Sequence, residues 1–120
     1  MAMENLAPDL ERQRLLIEGF FEGNVDEPRV RDYFVHVCKQ MNFRAYGEPI
    51  IASPKGLGKK ENQGYDAFLP LIDSGISVYI WSSSQFFSII LYTCKEFDTN
   101  KVVEVTKNFW KSTRTVHMSF

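Results

Sequence analysis

The sequence predicts an α+β fold, a two-layer sandwich whose mostly antiparallel sheet carries two helices on one face. Three observations predict it. The runs Tyr65–Ile72, Gly75–Trp81 and Phe86–Thr93 follow one another with connections too short for a crossover, which makes them antiparallel neighbours. Two other segments place apolar residues at helical spacing, Val30–Phe34–Val37–Cys38–Met41 and Val102–Val105–Phe109–Trp110. Within Gly75–Trp81, Ile76, Val78 and Ile80 point one way while Ser77, Tyr79 and Trp81 point the other.

The elements follow in order. Leu15–Phe21 is an apolar stretch broken by Glu18 and Gly19 and reads as the first strand. Gly23–Asn24 is a turn, and Asp26–Glu27–Pro28 opens a helix, with Asp as cap and Pro in the first turn. Pro49–Ser53 is a short strand. Pro54–Gly64 is a polar, glycine-rich loop, followed by the three antiparallel strands. Asp98–Thr99 caps the second helix. Thr113–Phe120 alternates, with Arg114, Val116, Met118 and Phe120 on one face, and reads as the final strand. Residues 1–9 read as a flexible leader and residues 10–120 as a single domain. The aromatic second face of the sheet points to two sheets meeting across a dimer interface.

The chain has 120 residues, 44% hydrophobic and 24% charged, with a formal net charge of −1. That balance gives no global basic field for nucleic acid or for an anionic membrane, and neither is expected as a partner. No apolar run approaches the roughly 18 residues of a membrane helix, and Met1–Pro8 lacks the form of a secretory signal. The expected location is the cytoplasm, where Cys38 and Cys94 stay reduced. His36 and His117 lie far apart in sequence, and no Cys/His spacing suggests a metal site.

Two stretches invite a chemical reading. Gly56–Leu57–Gly58–Lys59–Lys60 suggests a phosphate loop but lacks the Gly-Lys-Ser/Thr that opens a helix, since Glu61 follows the lysines. It reads as a mobile surface loop able to close over a pocket. The second stretch is Asp73–Ser74–Gly75–Ile76–Ser77–Val78–Tyr79–Ile80–Trp81, followed by Tyr92–Thr93–Cys94. It resembles the core of the bacterial-type S-adenosylmethionine decarboxylases, Glu-Ser-His-x-Ser/Thr-x-His-Thr-Trp-Pro-Glu followed by Phe-Thr-Cys-Gly. The spacing matches without a gap, five residues from Ser74 to Tyr79 and fifteen from Tyr79 to Cys94. The resemblance extends from Arg14–Glu22 to Asp98–Trp110.

That resemblance implies specific roles. Ser74 sits at the serine that attacks the preceding carbonyl and becomes a pyruvoyl group, the electron sink for loss of carbon dioxide. Cys94 sits at the proton-donor cysteine. Asp73 replaces the Glu before the cut, and Gly75 replaces a His. Tyr79 replaces the processing histidine, and Asp66 falls where a second processing residue, usually Ser, is expected. Trp81 keeps the Trp of the substrate-binding segment, whereas Ser82–Ser83 replace the Pro-Glu that holds the ribose. Ile90 stands in place of an Asp, and Lys95 in place of a Gly. Tyrosine, with a reference pKa near about 10, is a poor base at neutral pH where histidine, near about 6.5, is a good one. The same residues also fit plain structural roles: Ser74 as turn serine, Cys94 as buried thiol, Tyr79 and Trp81 as sheet packing, Ser82–Ser84 as hairpin loop.

Three functions remain open on the sequence. One is a homologue tied to polyamine metabolism that is not self-processing and that binds an adenosyl or amino-acid ligand or regulates an active paralogue. Another is a working pyruvoyl-dependent decarboxylase cut at Asp73–Ser74. The last is a structural protein with no ligand. If the chain is not processed, no cofactor is expected. The resemblance further implies a homodimer with its pocket near the subunit interface.

Overall fold

The structure is a computed structural model that describes residues 2–120. Six strands form one antiparallel sheet in the order β2-β3-β4-β5-β1-β6. The strands are β1 (Gln13–Phe20), β2 (Ile50–Ala52), β3 (Gly64–Leu71), β4 (Ser74–Trp81), β5 (Phe86–Thr93) and β6 (Arg114–Ser119). Helices α1 (Glu27–Met41) and α2 (Thr99–Trp110) pack side by side on one face, as the predicted sandwich requires. Within the predicted loop Pro54–Gly64 a single 3₁₀ turn forms at Lys60–Asn62.

The helix ends follow from their caps. The Asp26 carboxylate accepts the Arg29 N–H at 2.9 Å and Asp98 accepts the Lys101 N–H at 3.1 Å, each satisfying an orphan donor of the first turn. Both helices stop at a left-handed residue, Asn42 (φ 58) and Lys111 (φ 51).

Alternation decides the sheet. Leu15, Ile17, Ile76, Val78, Ile80, Phe87, Ile89 and Leu91 face the helices and are buried. Against them lie Val30, Tyr33, Phe34 and Val37 of α1, and Val102, Thr106 and Trp110 of α2. Here α2 differs from the predicted stripe: Val105 and Phe109 are only partly buried, and Thr106 takes the central position. The reason is a buried polar contact, in which the Tyr33 and Thr106 hydroxyls meet at 2.8 Å and satisfy each other. At the edge, Gly19 lets β6 approach closely, because a Cβ there would stand 2.7 Å from the Arg114 carbonyl oxygen.

Among the described residues, no helix or strand packs on the other face of the sheet. Leu16, Glu18 and Phe20 of β1 continue through Met118, Val116 and Arg114 of β6 by register. Across β5, β4 and β3 the same face presents Ile90, Ser77 and Phe68 in one row, and Ser88, Tyr79 and Asp66 in the next. Phe68, Tyr79, Tyr92, Val116, Met118 and Phe120 are all exposed there. No helix among the described residues is long and apolar enough to cross a membrane.

Candidate functional site

The structure divides the sequence-predicted site residues into two places. Asp73, Ser74 and Cys94 meet at one end of β4 and line a cavity of about 360 Å³ with Phe68, Ser77 and Tyr92. Asp66, Tyr79 and Trp81 lie toward the other end, in a cavity of about 320 Å³ beneath the Pro54–Lys59 segment. Five residues of extended chain separate Ser74 from Tyr79, roughly 16 Å. Their side chains also leave the sheet on opposite faces. Ser74 pairs with Leu71 and Thr93, both buried under the helices, whereas Tyr79 pairs with Asp66 and Ser88 on the open face.

At the Ser74 end the backbone is unusual. Asp73 has φ 60, in the left-handed region that a non-glycine residue seldom adopts. Its carbonyl oxygen accepts the Cys94 backbone N–H at 3.1 Å, which continues the β4–β5 ladder one step past Thr93. In the role that the family resemblance implies for Ser74, this carbonyl is the one attacked, and an N–H donor on its oxygen polarises it in the direction such attack requires. Thr93 turns the following chain by donating its hydroxyl to the Lys95 carbonyl. Gln13 clamps the next residues: its side-chain nitrogen donates to the Phe97 carbonyl at 3.0 Å, and its oxygen accepts the Phe97 N–H at 3.1 Å.

The Ser74 hydroxyl itself is buried and has no hydrogen-bond partner. No histidine lines its cavity. Gly75, where the resemblance sets a histidine, is covered by the Phe68 ring, whose nearest atoms stand 2.9 Å from where a Cβ would be. Ile90 adds an apolar wall.

At the Tyr79 end, Asp66 is the direct cross-strand neighbour of Tyr79. Trp81 donates its indole N–H to Asn62 Oδ1 at 3.1 Å and packs on Phe86 at 5.5 Å. The loop is held by Gln63, which accepts from the Gly56 N–H at 2.9 Å and donates to the carbonyls of Leu57 and Lys59. Ser83 lies exposed in the β4–β5 loop, outside both cavities. On the same row of the sheet, Ser88 donates to Glu18 Oε2 at 2.7 Å.

Sequence reasoning did not single out Phe68, Ser77 or the Cys94 backbone N–H. The first two were within reach, because their parity matches Ile90 and Tyr92 on the open face. A backbone donor leaves no trace in side-chain identity.

The sheet order, the two helices on one face, and a serine preceded by a left-handed residue beside a Thr-Cys pair define a sandwich of the S-adenosylmethionine decarboxylase type. Residues 22–120 match the model of the S-adenosylmethionine decarboxylase family, and the chain belongs to that family. It is similar to the S-adenosylmethionine decarboxylase proenzyme of Clostridium botulinum strain Langeland, 28% identical over 93 residues that cover 77% of this chain and 78% of the relative. The proenzyme of strain Okra matches to the same extent, 28% over 93 residues. Among solved structures, the adenosylmethionine decarboxylase from Aquifex aeolicus VF5 shares the fold, with a TM-score of 0.67 over 92% of this chain and 89% of that chain at 13% identity.

Proposed function

We propose that this chain is a family member that keeps the self-cleavage scaffold without completing the cleavage, and that it acts as a ligand-binding or regulatory homologue linked to polyamine metabolism. The observation that carries this reading is the Ser74 environment: a buried hydroxyl with no acceptor, in a cavity lined by no histidine. Ester formation needs the hydroxyl proton removed, and breaking the ester needs a base at the Ser74 Cα. Loss of one general base costs on the order of 10²–10⁴ in rate. Tyr79 stands at the position of the family's processing histidine, and a tyrosine is a poor base at neutral pH. The ribose-holding carboxylate has no counterpart at Ser83. If a pyruvoyl group does form, Ser74 is its source on this reading, and Cys94 is the proton donor that the family resemblance implies.

A second reading rests on a specific observation. The Cys94 N–H on the Asp73 carbonyl is a donor of the kind that the first step of self-cleavage calls for. On this reading the chain is a pyruvoyl-dependent decarboxylase of S-adenosylmethionine or another amino acid, cut at Asp73–Ser74, with Asp66 and Tyr79 supporting processing. The intact mass of freshly purified protein, followed over days at neutral pH, separates the two. One uncut mass is expected. Two fragments meeting at Asp73–Ser74, the second blocked at its N-terminus, would establish the enzyme reading instead.

We also propose a homodimer that covers the open face of the sheet and closes the Ser74 cavity. Its support is the contiguous apolar surface of Phe68, Ile90, Tyr92, Val116 and Met118. A cytoplasmic location and pairing with an active paralogue belong to the same reading. Sedimentation of the purified chain, alone and with a catalytically active family member, tests both kinds of partner.

A further inference from the structure

A cavity larger than the one at Ser74, about 620 Å³, lies between the leader and the start of β1. Two guanidinium groups line it, Arg12 and Arg14, together with Phe120. Arg12 is occupied by neutral acceptors: Asn5 Oδ1, the Ala7 carbonyl at 3.1 Å and the Leu10 carbonyl at 3.3 Å. Arg14 is not. Its guanidinium carbon sits 5.6 Å from the centre of the Phe120 ring, and its Nε is buried with no acceptor.

Neither arginine has a carboxylate partner, since the ion pairs among the described residues are those of Arg31 with Glu27 and Glu48. Glu4 and Glu11 also line the cavity, but both are exposed and water screens them. The Arg14 Nε is closed off, whereas the terminal guanidinium nitrogens of this cavity-lining residue are not buried and make no hydrogen bond or ion pair, which leaves them open to an incoming acceptor. Arg14 stands on the open face, paired with Tyr92, which in turn pairs with Gly75. Its Cα is therefore two strand spacings, roughly 10 Å, from the strand that carries Ser74.

We infer that Arg14 anchors the oxyanion of a small organic ligand, a carboxylate or a phosphate, in the cavity between the leader and β1. The guanidinium fork matches a planar carboxylate or a phosphate edge and needs no second cation. Phe120, which also lines this cavity, provides flat surface for the body of the ligand. This stands on the surroundings of Arg14 and not on whether the chain is cut.

The test uses ¹⁵N-labelled full-length protein and the arginine Nε–H resonances. The probes are benzoate and inorganic phosphate, titrated against chloride at constant ionic strength, with benzamide as the uncharged control. The Arg14 signal, assigned by its loss in Arg14→Lys, is expected to shift saturably with at least one anion and not with benzamide. A response to benzoate alone assigns a carboxylate, and a response to phosphate alone assigns a phosphate. Arg14→Gln is expected to weaken binding about tenfold or more, and Arg14→Lys less than that. If Arg14→Gln does not fold, Arg14→Lys in a thermal-shift titration carries the test. No saturable shift with either anion, or unchanged affinity in both variants, overturns the inference. So does a fall in oligomeric mass in Arg14→Gln with no anion response in the parent, which would assign the guanidinium to a second copy. The intact mass of the same samples reports on cleavage separately.

Discussion

The two faces of the sheet are built from the same strands and end in opposite states. On β4, Ile76, Val78 and Ile80 are 1%, 0% and 3% exposed beneath the helices, while Tyr79 between them is 37% exposed. On β5, Phe87, Ile89 and Leu91 are buried, while Tyr92 faces out. The helix-covered face is almost wholly apolar, and its one central polar contact, Tyr33 with Thr106, is mutually satisfied. The open face mixes large apolar side chains with Glu18, Asp66, Arg14 and serine hydroxyls. One face has its partner inside the chain. The other has no partner element among the described residues, so folding rests on the first, and the proposed recognition falls to the second.

The sharpest way to break this division is to open the covered face. Phe34→Ala, at a position 1% exposed, is expected to cost about 3–5 kcal/mol, read as a shift of the urea unfolding midpoint. A cost below about 1 kcal/mol would mean the layer is not the core described. On the open face, Ile90→Asp is expected to leave the monomer's unfolding free energy within about 1 kcal/mol. Its effect belongs in sedimentation, as loss of the proposed dimer. A dimer that survives Ile90→Asp would place the subunit contact elsewhere.

Tyr33→Phe sharpens the comparison through pH. It is expected to cost about 1–2 kcal/mol at neutral pH by leaving the Thr106 hydroxyl unmatched. Burial pushes the Tyr33 phenol well above its ordinary range, and the Thr106 hydrogen bond opposes this only in part. With the folded pKa above the unfolded one, the stabilising contribution is complete below about pH 10 and is lost as pH rises beyond it. Alkaline destabilisation should therefore be shallower in Tyr33→Phe than in the parent, measured by urea midpoints between neutral pH and pH about 11. The smallest effect is expected at the boundary of the two faces. Ser74→Ala removes a buried hydroxyl that has no partner, so stability should stay level or rise by up to about 1 kcal/mol. The chain should remain a single uncut species, as the parent is expected to be. A loss greater than about 1 kcal/mol would reveal a hydrogen bond at Ser74.

Much of this was legible from spacing. The three antiparallel strands, both caps and the parity of β6 rest on local patterns. The register pairs of Val116 with Glu18 and of Met118 with Leu16 agree with the predicted face. Strand ends shifted by one or two residues, with β1 at Gln13–Phe20 rather than Leu15–Phe21 and β2 at Ile50–Ala52 rather than Pro49–Ser53, because ladder pairing sets strand limits. The α2 face was misread because Thr106 is not apolar, and its burial depends on Tyr33 in the other helix.

The site was legible by residue type and not by place. Matching Ser74, Tyr79 and Cys94 by spacing suggests one cluster. The pleat puts Ser74 and Tyr79 on opposite faces and leaves Cys94 beside Ser74 through its backbone. The leader, Phe120 and Arg14 gave no sequence signal of a cavity, since their meeting depends on the β1–β6 pairing.

The sequence by itself determined the fold class, the family and the loss of the histidines, because these depend on residue identity and on periods of two and 3.6. Only the tertiary structure decided which groups meet. The left-handed Asp73, the Cys94 N–H on its carbonyl, the acceptorless Ser74 hydroxyl and the unpartnered Arg14 Nε all arise from strand register and sheet order. Those are set by long-range hydrogen bonds and packing between residues far apart in the chain.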